Sequence, residues 1–301
     1  MRFHLTTTLW IGSFVAVFAL LVNPAVADDW SDTDVFVAPD EAADLIDQGA
    51  TVLDARESDD VRQGHIRGAS NLHWQQFVDG SASGELIDDD RRLTALLQQA
   101  GVSNGTPVVI YGNWSRQGAW GEEGRLYWTL DYLGHSEVYI LSGGVEGWQQ
   151  SQRPLTRGET ARGSAGDFEI ARRKQLRTVT DQLYRELHNG NGLVVLDSRE
   201  AIEYQGQIKY GEQRPGHIPG AQHLWWRDLF DDDGDLKSRS EIAEKLSQRG
   251  IDADSKIVAY CTGGIRSGFV YSVLRAKGLN VSNYDASMWD WSRHDALPLQ
   301  K

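Results

Sequence analysis

Five short runs of β-branched and aliphatic residues punctuate the chain, at 51–53, 108–110, 138–141, 193–196 and 257–258. Each is of strand length and little interrupted by polar side chains, the pattern of strands covered on both faces. Between them the apolar positions change period. Leu93, Leu96 and Leu97 fall on one side of a helix predicted over 91–100 that stops at Gly101, and 242–249 repeats the pattern and stops at Gly250. Phe269, Val270, Val273 and Leu274 predict another helix from about Ser267 to Gly278. Strands alternating with helices predict a parallel α/β sheet, whose ligands bind outside the carboxyl ends of the strands.

The pattern is written twice. Val52-Leu53-Asp54-Ala55-Arg56-Glu57 returns as Val195-Leu196-Asp197-Ser198-Arg199-Glu200, and Gly64-His65-Ile66-Arg67-Gly68-Ala69 returns as Gly216-His217-Ile218-Pro219-Gly220-Ala221. The second spacing is nine residues longer than the first, so the second copy carries an insert between these blocks. Pro107-Val108-Val109-Ile110-Tyr111 matches Lys256-Ile257-Val258-Ala259-Tyr260, and 141–148 matches 284–291. A period this long describes two copies of one globular module rather than a solenoid. The expected domains are 30–156 and 176–301, joined by a linker at 157–175 whose first part, 157–166, is polar and glycine-rich.

Composition narrows the setting. The 301 residues carry a net charge of −13, which disfavours nucleic acid as a partner. The first 27 residues have no acidic group, a basic start at Arg2, an apolar stretch at 9–22 and the small-x-small string Ala25-Val26-Ala27. Together these predict a signal peptide over 1–27 cleaved after Ala27, a periplasmic destination, and no membrane contact after cleavage. One cysteine in the chain rules out an intramolecular disulfide and any multi-cysteine metal site. A free thiol in an oxidising compartment is a liability unless it is buried or used.

That cysteine stands directly after a predicted strand, in Tyr260-Cys261-Thr262-Gly263-Gly264-Ile265-Arg266-Ser267. Backbone N–H groups of a glycine-rich turn feeding a helix N-terminus, with Arg266 as fixed positive charge, favour a thiolate at Cys261. The corresponding position of the first copy is Gly112, and the loop that follows it is five residues longer. The first copy therefore lacks the nucleophile.

The chain resembles the tandem-domain rhodaneses, the thiosulfate and 3-mercaptopyruvate sulfurtransferases. The resemblance rests on the Cys-x-x-Gly-x-Arg loop at Cys261, Gly264 and Arg266, the Leu-Asp-Ser-Arg block ending in Arg199, the Gly-His-Ile-Pro-Gly-Ala block at Gly216, and Tyr284-Asp285-Ala286-Ser287-Met288-Trp289. It implies two rhodanese-like α/β domains, each a small parallel sheet with helices on both faces, the first inactive and the second catalytic. It also implies a persulfide on Cys261 and donor binding by Arg199. Arg266, Thr262, Gly263, Gly264 and Ile265 complete the expected substrate site. The implied partners are a small anionic sulfur donor, thiosulfate ahead of 3-mercaptopyruvate, and an acceptor that is cyanide, a thiol or a sulfur-accepting protein. No cofactor or metal is expected. The inner loop, Thr262-Gly263-Gly264-Ile265, matches neither donor class, so donor choice stays open. Two alternatives remain at this level: a non-catalytic sulfur or redox carrier, and a cysteine phosphatase. Phosphatase loops place five residues between cysteine and arginine, whereas here there are four.

Other candidates read as structural. His65 and His217 recur in both copies and are expected to organise a turn, and Asp197 to hold loop backbone. Trp225, Trp226, Trp289 and Trp291 are expected in the core or at the domain interface, with room for one in the pocket. The acidic run 231–235 lacks the glutamate of a calcium loop and reads as a solvated turn.

Overall fold

The computed structural model describes residues 30, 35–80, 83–160, 164–190 and 192–301; the expected signal peptide lies outside them. The first copy runs β1 (Phe36–Val37), α1 (Pro39–Asp47), β2 (Thr51–Asp54), α2 (Ser58–Gln63), β3 (Ser70–Asn71), α3 (Asp90–Gln99), β4 (Val108–Tyr111), α4 (Glu122–Leu133), β5 (Val138–Leu141) and α5 (Gly144–Gln150). The second runs α6 (Thr180–Asn189), β6 (Leu193–Asp197), α7 (Ala201–Tyr204), β7 (Gln222–His223), α8 (Arg239–Ser247), β8 (Lys256–Tyr260), α9 (Arg266–Ala276), β9 (Asn280–Asn283) and α10 (Ser287–Trp291). The sheets are ordered β1-β5-β4-β2-β3 and β7-β6-β8-β9, with every pairing parallel. All five apolar runs are strands, and the central pair in each copy, β2 with β4 and β6 with β8, is sheathed by helices on both faces as the unbroken apolar pattern requires.

Each sheet buries its outer face in a core of its own. The inner faces do something different: they share one core that crosses between the copies, built on α4 and α9 lying side by side. Every residue of α4 is buried, and α9 is buried from Arg266 to Leu274, so neither helix has the polar face a solvent-exposed helix shows. Their close approach depends on paired glycines. A Cβ on Gly124 would lie 2.3 Å from Phe269 Cα, and one on Gly268 would lie 2.7 Å from Arg125 Cα.

Two expectations change here. The linker 157–175 is not free throughout. From Gly166 onward it is stitched to the first copy, with Gly166, Phe168, Ala171 and Arg173 donating backbone N–H groups to Gln98, Val102, Leu133 and Tyr132 carbonyls. Nor is the acidic run merely solvated: the Gly234 carbonyl accepts from Trp114 Nε1 and Ser115 Oγ at 3.1 and 2.6 Å, tying the turn to the first copy. The histidines behave as read. His65 and His217 each form an isolated antiparallel bridge with a distant segment, at Thr156 and Gln300, and each places Nδ1 against a carbonyl.

Candidate active site

Cys261 is the first residue after β8, and its side chain is buried beneath the turn that leads into α9. The Gly264 N–H points at Sγ from 3.1 Å, and the Ser267 hydroxyl lies 3.7 Å away. Gly264 has φ of +79°, and a Cβ there would meet the Asp285 carbonyl oxygen at 2.5 Å, so only glycine turns the chain this way. The turn is anchored from outside. Asn283 Nδ2 donates to the Gly264 carbonyl, Ser287 Oγ accepts from the Cys261 N–H, and the Trp289 N–H donates to the Thr262 carbonyl.

Burial pushes the Cys261 thiol up, but the Arg266 charge and hydrogen bonds from Ser267 and Gly263 outweigh it and hold the thiol below its usual value. Arg266 is itself fixed. Its two terminal nitrogens donate to Glu203 Oε2 and Oε1 at 2.7 and 2.9 Å, and one also donates to Thr262 Oγ1 at 2.6 Å. Glu203 is fully buried, and although burial pushes its carboxyl up, Arg266 and Thr262 pull it below the usual range. Arg266, expected in the substrate site, also holds the loop. It lines the cavity as expected.

That cavity, about 240 Å³, opens over the sulfur between the two copies. Cys261, Thr262, Gly263, Ile265, Arg266, Tyr210 and Trp289 line it from the second copy, and Glu57, His73, Trp74, Gln75, Trp120 and Glu122 from the first. Of the four tryptophans singled out in the sequence, Trp289 reaches the pocket, whereas Trp226 and Trp291 are buried in the cores. Burial pushes the Glu122 carboxyl up to about 7.

Arg199 is not part of this lining. Its guanidinium is buried under the loop, donating to Asp197 at 2.9 and 2.6 Å and to the Gly216 carbonyl at 2.9 Å, and it stands 3.7 Å from Glu212. Its twin Arg56 makes the same bonds, to Asp54 at 2.9 and 2.6 Å and to the Gly64 carbonyl at 2.7 Å. Asp197 accordingly holds Arg199 and the Tyr260 hydroxyl rather than loop backbone alone. Gly264 also stays out of the lining and contributes its N–H. The sequence did not signal the first-copy half of the pocket, nor Arg125. Arg125 is fully buried and reaches from α4 toward the Gly263 and Gly84 carbonyls, 3.5 and 2.6 Å away. Burial pushes it down to about 10 against the pull of Asp285.

Cys261 is thus cradled by a backbone N–H at a strand-to-helix turn, in the second of two like parallel α/β units. The rhodanese-like domain family matches residues 38–151 and 179–294, and the chain belongs to that family. It is 28% identical over 284 residues to a protein of Mycolicibacterium smegmatis named "Putative thiosulfate sulfurtransferase", covering 90% of this chain and 94% of that one. It is 32% identical over 254 residues to the sulfur carrier protein TtuD of Thermus thermophilus, covering 79% and 86%. Among solved structures, the 3-mercaptopyruvate sulfotransferase SseA of Escherichia coli superposes with a TM-score of 0.72 at 26% identity, over 84% of this chain and 98% of that one. The anaerobic ergothioneine biosynthesis enzyme of Chlorobium limicola shares the fold, with a TM-score of 0.80 at 20% identity, over 89% and 70%. The protein is a sulfurtransferase in this general sense.

Proposed function

We propose that the protein moves a sulfane sulfur from a small anionic donor to a nucleophilic acceptor through a persulfide on Cys261. The observation that carries this reading is the sulfur held 3.1 Å from the Gly264 N–H beside Arg266, at the floor of an open cavity. In the first step the Cys261 thiolate attacks the outer sulfur of thiosulfate. A new S–S bond forms, the donor's S–S bond breaks, and sulfite leaves with the electron pair. The same N–H and Arg266 then face the persulfide anion. In the second step the acceptor takes the outer sulfur and returns the thiolate. The first copy, with Gly112 at the matching position, does no chemistry but walls the pocket.

Incubation with thiosulfate should add one sulfur, about 32 Da, to the peptide containing Cys261, and cyanide should remove it as thiocyanate. Cys261→Ser should abolish both. Loading by 3-mercaptopyruvate and not thiosulfate would keep the mechanism and change the donor; hydrolysis of a phosphate ester without sulfur loading would overturn it. A carrier reading is favoured by the relative named as a sulfur carrier protein. Loading without turnover on small acceptors would select it. Export belongs to the same proposal: N-terminal sequencing of periplasmic material should find a chain beginning at Asp28.

A further inference from the structure

The cleft over Cys261 has a chemistry of its own beyond the sulfur cradle. Two aromatic pairs line it: Trp120 with Tyr210, ring centroids 5.1 Å apart and edge to face, and Trp74 with Trp289, 6.4 Å apart. Trp120 and Tyr210 already show their affinity for cations, since the Arg266 guanidinium lies 5.7 and 5.3 Å from their ring centres. Two of the positive charges nearby are internally matched, while a third, Arg227, within the field of Glu122, donates to the Ser115, Arg116 and Ala119 carbonyls. Arg266 is held by Glu203, and Lys209, over the Tyr210 ring, by Glu200. Burial keeps His73 below its usual value, toward its neutral form. The carboxyls of Glu57, at the rim, and Glu122, deeper in, are what remain. Aromatic faces combined with the carboxyls of Glu57 and Glu122 form a site for an organic ammonium group. A small anionic donor gains nothing from that wall and needs only the N–H groups beneath it, so the wall serves the other half of the reaction.

We infer that the acceptor is a small organic cation, an ammonium-bearing thiol whose charged group sits among Trp120, Tyr210, Trp74 and Trp289 against Glu57 and Glu122. This inference rests on the persulfide reading for its chemistry but not for its binding site. In the transfer, the acceptor thiolate bonds to the outer sulfur of the Cys261 persulfide and the bond from that sulfur to Sγ breaks. The electron pair of that bond stays on Sγ as the thiolate, and the transferred sulfur keeps its negative charge as the acceptor's persulfide anion, so no oxidant, reductant or proton is needed.

Two measurements on the full chain separate binding from chemistry. In Cys261→Ser protein, choline should change tryptophan fluorescence saturably and bind about tenfold or more tighter than its neutral isostere 3,3-dimethylbutan-1-ol, the scale of a partly desolvated cation–π site. The Glu57→Gln/Glu122→Gln double variant should lose that preference. Equal binding of the two, or none of either, overturns the proposal. In persulfide-loaded wild-type protein, the rate of sulfur removal per thiolate should fall in the order thiocholine, 2-mercaptoethanol, mercaptoacetate, by about tenfold or more from first to last. Rates indifferent to acceptor charge overturn the proposal even if loading succeeds. If no donor loads Cys261 while choline still binds selectively, the persulfide reading fails and the cation site stands.

Discussion

Arg199 and Arg56 show how a single residue's role changes between pattern and packing. As a sequence feature, an arginine after the strand-end aspartate of the active copy is a natural anion binder. In the folded chain both arginines are spent on the same task, clamping the strand-end carboxylate to the glycine carbonyl of the Gly-His-Ile block. Arg199→Ala should therefore act on stability, by about 3–5 kcal/mol, because it strands a buried Asp197. Arg56→Ala should cost a similar amount. Urea denaturation of the two variants checks this, and a large rise in KM for the donor with unchanged stability would contradict it. The thiol is the opposite case, where local reading and structure agree. Its value is held below that of an ordinary thiol, so alkylation by iodoacetamide should stay fast as pH falls to the midpoint of Cys261 itself and slow only below it. Arg266→Gln removes the main charge favouring the thiolate, so its alkylation profile should move to higher pH.

At the scale of elements, the two copies differ most where the site is built. The longer loop between β4 and α4 carries Trp120 to the cavity, and the insert between Arg199 and Gly216 carries Tyr210 and Glu212. These departures from internal symmetry were the available signal for Trp120, Tyr210 and Glu212. β9 went unread for another reason: Asn280, Ser282 and Asn283 interrupt any apolar run, yet Asn283 is buried because its amide holds the Gly264 carbonyl and accepts from Ser267. In the first copy the space beside Gly112 is filled. A Cβ there would fall 2.0 Å from Glu123 Oε2, a buried carboxyl with no hydrogen-bond partner for either oxygen. Burial raises Glu123 well above its usual value, with the neighbouring Glu122 adding to the effect. A carboxyl raised on folding binds its proton more tightly in the native state, so its contribution is intact in acid and is lost as pH rises above the ordinary carboxylate range. Glu123→Gln should flatten that loss. Melting temperatures from pH 5 to 8 should decline less in the variant than in wild type, and parallel curves would refute the assignment.

On the scale of the whole molecule, the two copies are halves of one core, and the pocket exists because they dock through α4 and α9. Gly268→Val should push the helices apart, costing about 1–3 kcal/mol or more through overpacking. It should also loosen the first-copy wall over the sulfur, so Cys261 should react faster with bulky thiol reagents than in wild type. Unchanged stability and reactivity would argue against the seam. Proteolysis is expected in the exposed stretch 157–159, ahead of the segment bound from Gly166 onward. The two fragments should still elute together on gel filtration, held by the shared core, and separation on nicking would show that the seam contributes little.

The sequence by itself determined the duplication, the parallel strands and their covering helices, and the glycine-rich turn that cradles Cys261. All of these follow from local periodicity and from backbone geometry over a few neighbouring residues. The tertiary structure alone decided that Arg199 is a clamp, that Arg125 reaches the active loop from the other copy, and that Trp74, Trp120, Glu57 and Glu122 share a cleft with the sulfur. Those positions lie far apart along the chain. They meet only when the inner helices of the two copies bury their apolar faces against each other, and the spacing of residues along the chain carries no record of that docking.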